Sequence, residues 1–458
     1  MVVVPARKLG HNNPLKIAIA DDSGLIYSDD YRDGWPWGFE SIGCDVKIFD
    51  IRPLRGVSDL YQGPYRSNIM RGTPKLLAER VAGWGADLMF CHHGRSASHS
   101  QFLQTLKRHG IPTAVYLCDE PYESGETTIY SPRFDFVFTM DPCTMHAHQK
   151  SRGDRTQRVF YLPVGVNTDR FHLYKKTKRD IPVFFLGNMS LTPRPGWLKP
   201  VEDMIDGSDL RYWPVHRGSG LIVPVAKGSP KWVHLDDHPG LFSRAKIGLN
   251  VHRDPAITKE CFKRRIIHRP HYMTVPAGIT LQDKPPINDG TGFWNEGNLP
   301  AAHVNPRFME MSACGTLVIS DDHRTELERM FPMAPRAASP ERFLELCLYY
   351  LKHPDEAEDI GRACNSLIFR RHTYLHRAAE VLIRVGLKES TEDKLATSLG
   401  EPADWLSHQE FSEQGISSYW EVTGLSEPWN PAYGKSLIST CGNLKEATSL
   451  DAPAPWSL

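Results

Sequence analysis

Short apolar runs of strand length alternate along this chain with segments of helical periodicity, and this alternation constrains the fold more than any other feature. Such alternation is typical of parallel βαβ units in a doubly wound sheet. The predicted strands are residues 16–20, 45–50, 87–90, 112–117 and 134–138 in the first half, and 183–186, the end of 241–250, and 317–319 in the second. We therefore predict an α/β protein with two similar halves.

The two halves set the predicted domain boundaries. Residues 1–13 are a predicted flexible arm, residues 14–165 an N-terminal Rossmann-like domain and residues 166–386 a C-terminal Rossmann-like domain. The second domain contains an insertion, 254–303, that does not follow the alternation. The last segment, 387–458, is polar but contains tryptophans, so we expect part of it to pack on the body, because disordered tails have few aromatic residues.

Composition excludes several classes of protein. The 458 residues carry a formal net charge of zero, which argues against a surface built for nucleic acid but allows a local basic patch. Nine scattered cysteines without a Cys-x-x-Cys pair argue against a disulfide framework or structural zinc and favour a reducing compartment. No apolar run approaches the length of a membrane span or a signal-peptide core. We expect a cytoplasmic protein without membrane insertion.

Residues 304–320 are the most informative motif. Asn305 and Pro306 predict a helix start, and Gly315 predicts its end before a buried strand. Glu310 lies on this short helix, where a carboxylate can accept two hydrogen bonds from a ribose diol. Free N–H groups at a helix start can hold a phosphate. An ordinary αβ unit with a surface glutamate explains the segment equally well.

Polar side chains follow two predicted strands of the first half. His92 and His93 follow one strand, and Asp119 and Glu120 follow the next. In doubly wound sheets, loops at the carboxyl ends of strands line the ligand site. Asp119 is therefore a candidate general base toward an acceptor hydroxyl, and the two histidines are candidates to bind a sugar or its phosphate. The alternatives are packed histidines and an Asp119–Glu120 helix cap.

Two further histidines, His146 and His148, raise the question of a metal site. Their composition alone does not support one, and we interpret them as part of a solvated helix face.

Several segments together resemble the CgeB-like glycosyltransferases, the spore maturation protein family, which have the GT-B fold. Family patterns such as LPxGVDxxxF, FxGNxxxxR, AKIxLNxxR and RxFExxACG have counterparts here. The matching segments are residues 161–171, 184–194, 245–253, 307–315, 349–354 and 372–377. The resemblance covers about residues 160 to 385 well and the first half less well. It implies two Rossmann-like domains facing across a cleft.

The resemblance implies a UDP- or GDP-sugar donor held mostly by the second half. By position, Glu310 corresponds to the residue that binds the donor ribose, and Arg194 and Arg307 face the diphosphate. The other candidate donor-binding residues are Gly187, Asn188, Asn250, Arg253, Asn305, Phe308 and Glu326. Glu326 is alternatively a plain surface glutamate, which is the interpretation we favour. Related retaining enzymes have a second glutamate at the position of Ala302, so that donor contact is missing or supplied elsewhere.

The donor diphosphate needs its growing negative charge stabilised as the sugar leaves. Many enzymes use a metal held by an Asp-x-Asp motif, and this sequence contains no such motif. Arginines and helix N–H groups can do the same work. We therefore expect catalysis without a metal or any cofactor beyond the nucleotide-sugar.

The acceptor stays open. A basic cluster within residues 259–271 includes Arg264, Arg265 and Arg269, which could guide an anionic acceptor or form a plain solvated loop. Glycans, proteins and a hydroxymethylated base in DNA are the acceptor classes considered. Stereochemistry is also open: Asp119 as a base favours inversion, and the resemblance around Glu310 favours retention. Alternative functions are a sugar-nucleotide epimerase and an inactive sugar-nucleotide-binding protein. The sequence sets no oligomeric state.

Overall fold

The structure is a computed structural model. It describes residues 14–21, 29–54, 72–153, 158–173, 177–187, 194–212, 235–253, 295 and 299–387. These residues divide into two units. The first unit runs to Pro163 and takes up the chain again at Tyr374, while the second lies between Val164 and Thr373.

The first unit is built on a six-stranded parallel sheet. Its strands are β1 (Lys16–Asp21), β2 (Asp45–Asp50), β3 (Leu88–His92), β4 (Thr113–Leu117), β5 (Phe136–Thr139) and β6 (Val159–Tyr161). The helices that connect them are α1 (Asp29–Ser41), α2 (Thr73–Trp84), α3 (Ser100–Arg108), α4 (Ser124–Tyr130) and α5 (Met145–Arg152). The spatial order β2-β1-β3-β4-β5-β6 reverses direction between β1 and β3. That reversal is a topological switch point, where ligands bind beyond the carboxyl ends of the strands.

The second unit has a five-stranded parallel sheet wound in the same way. Its strands are β7 (Ile181–Gly187), β8 (Asp209–Tyr212), β9 (Ala245–Asn250), β10 (Leu317–Asp321) and β11 (Arg336–Ala337). Its helices are α6 (Arg194–Met204), α7 (His238–Arg244), α8 (Pro306–Ala313), α9 (Thr325–Met330), α10 (Pro340–Lys352) and α11 (Pro354–Arg371). The order β11-β10-β9-β7-β8 places a switch point between β7 and β9.

Buried apolar strand residues explain why each sheet is covered on both faces. In the second unit Val183 and Phe184 of β7 and Val318 and Ile319 of β10 are all buried, and successive residues of a strand point to opposite faces of the sheet. Near-continuous burial is expected of parallel strands packed between two helix layers. The predicted α/β class with two doubly wound parallel sheets is therefore confirmed.

The last described helix, α12 (Tyr374–Arg384), groups with the first unit. The sequence prediction put residues 374–386 in the second domain. The physical reason for the difference is a close contact with α1: a Cβ on Gly34 would lie 2.1 Å from the Tyr374 ring, and one on Gly38 would lie 2.4 Å from the Tyr374 carbonyl oxygen. Two glycines one turn apart let the helices approach this closely.

Candidate functional site

The switch point of the second unit brings Gly187 and Arg194 together. The Arg194 Nε donates to the carbonyl of Val251 at 2.7 Å, just beyond β9. A Cβ on Gly187 would lie 2.8 Å from the Phe185 ring, so the glycine makes room for that ring, and it would lie at an ordinary contact distance of 3.5 Å from an Arg194 terminal nitrogen. Arg194 is buried, so its guanidinium is not a solvated loop charge.

Asn250, at the end of β9, is buried in a network of side chains. Its amide donates to the Ser320 hydroxyl at 2.9 Å and lies 3.3 Å from His252 Nε2. The nearby carbonyl of Arg253 accepts a hydrogen bond from Arg324 at 2.7 Å. Asn250 therefore ties β9 to β10 at the edge where the donor was predicted to bind.

His252 and Asp321 form a buried pair at the same edge, and sequence reasoning missed it. The His252 Nδ1 lies 2.8 Å from one Asp321 oxygen, and the His252 backbone N–H donates to the other. Desolvation lowers the pKa of His252 to about 4 despite Asp321. Burial alone would raise the pKa of Asp321, but the charge and hydrogen bonds of His252 and the charge of Arg324 hold it well below its usual range. A neutral imidazole thus donates to an ionised carboxylate.

Helix α8 begins as the sequence predicted. The Asn305 side chain caps it by accepting from the Arg307 N–H at 3.0 Å, and Pro306 occupies the first helical position. Gly315 follows the helix with φ +71°, a left-handed conformation that favours glycine. Phe308, a predicted donor contact, is completely buried and packs on Phe331 at a ring distance of 5.0 Å. Its side chain therefore belongs to the core.

Glu310 is buried on α8 and held in place by its neighbours. It forms an ion pair with Arg307, and the Arg307 guanidinium also donates to His238 Nδ1 at 3.2 Å. The guanidinium lies over the Phe242 ring at 5.7 Å, a cation–π arrangement. Because Glu310 is only 3% exposed, the surface glutamate of an ordinary αβ unit is excluded.

Glu326 is completely buried, so the favoured expectation of a surface glutamate is wrong. Its carboxylate accepts from Arg329 at 3.1 Å. Its backbone N–H donates at 3.1 Å to the carbonyl of Ala302, the position where related enzymes have a second glutamate. Backbone pairing with α9 thus holds position 302 in place, and the sequence offered no sign of this contact.

In the first unit, the turn after β3 directs His93 over the sheet edge. His93 and Gly94 both have positive φ, at 69° and 79°. The His93 N–H donates to the carbonyl of Tyr116 on β4 at 2.8 Å. A Cβ on Gly94 would lie 2.4 Å from Val115, so only glycine fits there.

His93 lies among acidic groups that follow β4. Its Nε2 is 3.1 Å from a carboxylate oxygen of Glu123. Ligand atoms of His93, Asp119 and Glu123 all lie within 4.8 Å of one another. The sequence analysis named His93 and Asp119 and missed Glu123. A further carboxylate four residues after Asp119 was the signal that could have found it.

The two adjacent histidines differ in charge. Burial alone would lower the pKa of His93, but the charge and hydrogen bond of Glu123 and the charge of Asp119 outweigh it, so that the pKa rises to about 9. Desolvation and the neighbouring His93 lower the pKa of His92 to about 3. Near neutral pH, His93 is therefore cationic and His92 neutral.

Glu120, which the sequence offered as a candidate acceptor-binding residue, has its side chain in the core of the first unit. It is completely buried, accepts from the Thr127 hydroxyl, and lies 3.3 Å from His148 Nε2. His148 in turn contacts the Ser131 hydroxyl at 3.0 Å. The expectation that His148 belongs to a solvated helix face is wrong. The alternative of an Asp119–Glu120 helix cap is not found. The residue before α4 is Glu123, and its side chain makes no capping hydrogen bond.

Several predicted features lie outside the described residues. They are Asn188, Arg264, Arg265, Arg269, the arm 1–13, most of the insertion 254–303 and the extension beyond residue 387. Among the helices that the structure does describe, none has both the length and the apolar character needed to cross a bilayer.

One family model matches part of the chain. Residues 294–383, which include α8 and Glu310, match the model described as glycosyl transferase-like. No curated protein sequence matches.

Solved structures share the fold over most of the chain. Anabaena HepE in complex with UDP-glucose aligns with a TM-score of 0.50 at 10% identity, over 84% of this chain and 100% of that one. Sucrose-phosphate synthase from Thermosynechococcus elongatus aligns with a TM-score of 0.48 at 12% identity, over 80% and 97%. A UDP-N-acetylglucosamine 2-epimerase aligns with a TM-score of 0.40 at 11% identity, over 82% and 98%. The chain has the GT-B fold.

Proposed function

We propose that this protein is a cytoplasmic glycosyltransferase of the CgeB-like type, which moves a sugar from a nucleotide-diphospho-sugar to a hydroxyl acceptor. The observation that carries the proposal is Glu310, a buried carboxylate on a capped helix at the carboxyl edge of a parallel sheet. It lies within the stretch that matches a glycosyl transferase-like family. The cysteines of the described residues are all free and buried, which supports a reducing compartment.

Glu310 accepts hydrogen bonds from the ribose hydroxyls of the donor in this proposal. A carboxylate must be held in a fixed orientation to accept from two adjacent hydroxyls. Arg307 holds it by an ion pair, and His238 and the Phe242 ring hold Arg307. We therefore assign Arg307 a positioning role beside Glu310, in place of the diphosphate contact expected from the sequence.

Arg194 is the group proposed to face the diphosphate. It lies at the switch point between β7 and β9, where doubly wound sheets bind their ligands. A guanidinium matches phosphate oxygens with paired N–H donors and stabilises the charge that grows as the sugar leaves. The leaving group then needs no cation held by an Asp-x-Asp motif.

Asp119 is the proposed general base toward the acceptor. It is partly exposed, and a carboxylate oxygen of Asp119 lies within 4.8 Å of a ring nitrogen of His93. The acceptor is a hydroxyl on a glycan, a protein or a hydroxymethylated base in DNA. Product from each class, with its anomeric configuration measured by NMR, decides both the acceptor and the stereochemistry.

The proposal is tested by a thermal-shift screen of UDP- and GDP-sugars. A ligand that binds only the folded protein raises its melting temperature. UDP-glucose, the ligand of Anabaena HepE, is the first donor to include. We expect one donor class to stabilise the wild type and to lose this effect in Glu310→Gln. The control variant is Glu345→Gln, which changes an exposed carboxylate on α10.

Turnover separates the proposal from its alternatives. With the selected donor we expect Glu310→Ala to lose transfer while Glu345→Gln keeps it. Epimerisation of the donor without an acceptor would contradict the proposal in favour of an epimerase. Tight donor binding with neither hydrolysis nor transfer to any acceptor would contradict it in favour of a binding protein.

A further inference from the structure

A group of three possible metal ligands forms at the carboxyl edge of the first unit. His93, Asp119 and Glu123 each bring one ligand atom within 4.8 Å of the other two. The side chains of His93 and Glu123 are 18% and 17% exposed, so solvent reaches them although they are not on the open surface. Within the described residues, these are the three side chains of this kind that come so close together.

The distances suit a cation bound between the three residues. Imidazole nitrogen and carboxylate oxygen bind a first-row divalent cation at about 2.0 to 2.2 Å, which places neighbouring ligand atoms about 3 Å apart. His93 Nε2 and the nearest Glu123 oxygen are already 3.1 Å apart. A carboxylate oxygen of Asp119 lies within 4.8 Å of a ligand atom of each of these two residues.

The orientation of the His93 ring is set from the other side. The Tyr130 hydroxyl donates to the His93 carbonyl at 2.5 Å, and the Tyr130 hydroxyl oxygen lies 3.2 Å from His93 Nδ1. Because that hydroxyl already donates its hydrogen, its oxygen accepts from Nδ1–H. The Nε2 atom is then directed toward Glu123. Histidines that bind metals usually donate their second ring N–H to such an acceptor, which fixes the tautomer and the ring plane.

The site holds charges of both signs. Arg95 is paired with the buried Glu126 and also lies 3.8 Å from Glu123, and the His93 ring lies 3.1 Å from Glu123. A divalent cation bound at His93 Nε2 would take the place of the proton on that nitrogen, because a metal-bound imidazole is neutral, and would lie between the carboxylates of Asp119 and Glu123.

We propose that His93, Asp119 and Glu123 form a binding site for a divalent transition-metal cation such as Mn²⁺ or Zn²⁺. The mixed nitrogen and oxygen ligands favour these ions over Mg²⁺ and Ca²⁺, which prefer oxygen alone. The three ligands include none of the residues proposed to contact the donor, and they share Asp119 with the proposed acceptor side. Cation binding at this site does not rest on the proposed function.

The test is a Mn²⁺ titration of the full chain, without a tag, after treatment with EDTA and without nucleotide or sugar. Free Mn²⁺ is followed by electron paramagnetic resonance, and calorimetry gives the stoichiometry. We expect one tight site per chain, weakened at least about tenfold in Glu123→Gln and in Asp119→Asn, because each variant removes one anionic ligand. Glu79→Gln, which changes an exposed carboxylate paired with His109, is the control that keeps the site.

Wild-type protein that binds no Mn²⁺ or Zn²⁺ at millimolar concentration would overturn the proposal. Equal binding by wild type, Glu123→Gln and Asp119→Asn would also overturn it, because the ion would then be held elsewhere. Circular dichroism of both variants checks that they are folded, and Glu123→Gln keeps a group that can still hydrogen bond to His93. Nucleotide-sugar binding, measured separately, reports on the proposed function and not on this site.

Discussion

At the residue scale, the main feature is that the charged groups near both sheet edges are held by specific partners. Glu310 is held by Arg307, and Asp321 by His252, while Glu123 contacts His93. Buried charges without partners are costly, so such pairs fix side-chain orientation as much as they add stability. Orientation is what a binding site needs.

His238 is predicted to control donor affinity through Arg307. His238→Leu removes the acceptor of a hydrogen bond from a charged group, which is worth about 1.5 to 3 kcal/mol, or roughly a tenfold to hundredfold rise in the donor KM. His238→Asn keeps an oxygen near the position of Nδ1 and should stay close to wild type. Steady-state kinetics with varied donor measures both variants, and equal losses in the two would contradict a role of the hydrogen bond.

The buried His252 predicts acid sensitivity. Its pKa is about 4 in the folded protein and 6.5 when exposed, so below pH 6.5 the unfolded chain binds the extra proton and stability falls as pH falls. The loss between pH 7 and pH 5 is about 2 kcal/mol. The charged groups around the ring have opposite effects: Asp321 raises the pKa of His252, and Arg324 and His303 lower it.

Urea denaturation at several pH values measures this loss. The depressed pKa of Asp321 acts in the same direction but only at lower pH, as the carboxylate begins to be protonated. We expect His252→Asn to show a shallower decline than wild type between pH 7 and pH 5. Identical slopes in the two proteins would show that His252 is not the group that titrates.

At the element scale, the segment around α8 was predictable because its signals are local. Asn305, Pro306 and Gly315 mark its ends by backbone chemistry that holds in any fold. The burial of Phe308 and Glu326 was not predictable in the same way, because it depends on contacts with residues far along the chain. Tertiary packing, and not helix periodicity, decides which face of a short helix meets a ligand.

A close helix contact gives a test at this scale. A Cβ on Gly361 of α11 would lie 2.5 Å from the Gly315 carbonyl oxygen and 3.1 Å from the Leu317 nitrogen, both of which are backbone atoms. Gly361→Ala should therefore destabilise the protein by about 1 to 3 kcal/mol. Gly240→Ala on α7 meets no atom within 4 Å and should be neutral or stabilising by up to about 1 kcal/mol.

Urea denaturation followed by circular dichroism compares these two variants with wild type. A Gly361→Ala protein as stable as Gly240→Ala would mean that α11 does not pack this closely on the turn before β10.

At the scale of the whole molecule, both sheets follow from the sequence because their strands are short, apolar and separated by helices. Their common winding places His92 and Asp119 at one carboxyl edge and Gly187 and Asn250 at the other, as the sequence predicted. The transfer of α12 to the first unit was not predictable, since it depends on two glycines of α1 contacting Tyr374. Glu123 and the His252–Asp321 pair were missed because strand-end positions were read singly and not as neighbours.

The proposed function depends on Glu310 holding the ribose of a nucleotide. Calorimetry with four combinations tests this directly: wild type and Glu310→Gln, each with the nucleoside diphosphate selected by the screen and with its 2′,3′-dideoxy form. We predict that removing the diol weakens binding to wild type by roughly tenfold to hundredfold, as for hydrogen bonds to a charged group, and hardly changes binding to Glu310→Gln. An equal loss in both proteins, or none in wild type, would contradict the account.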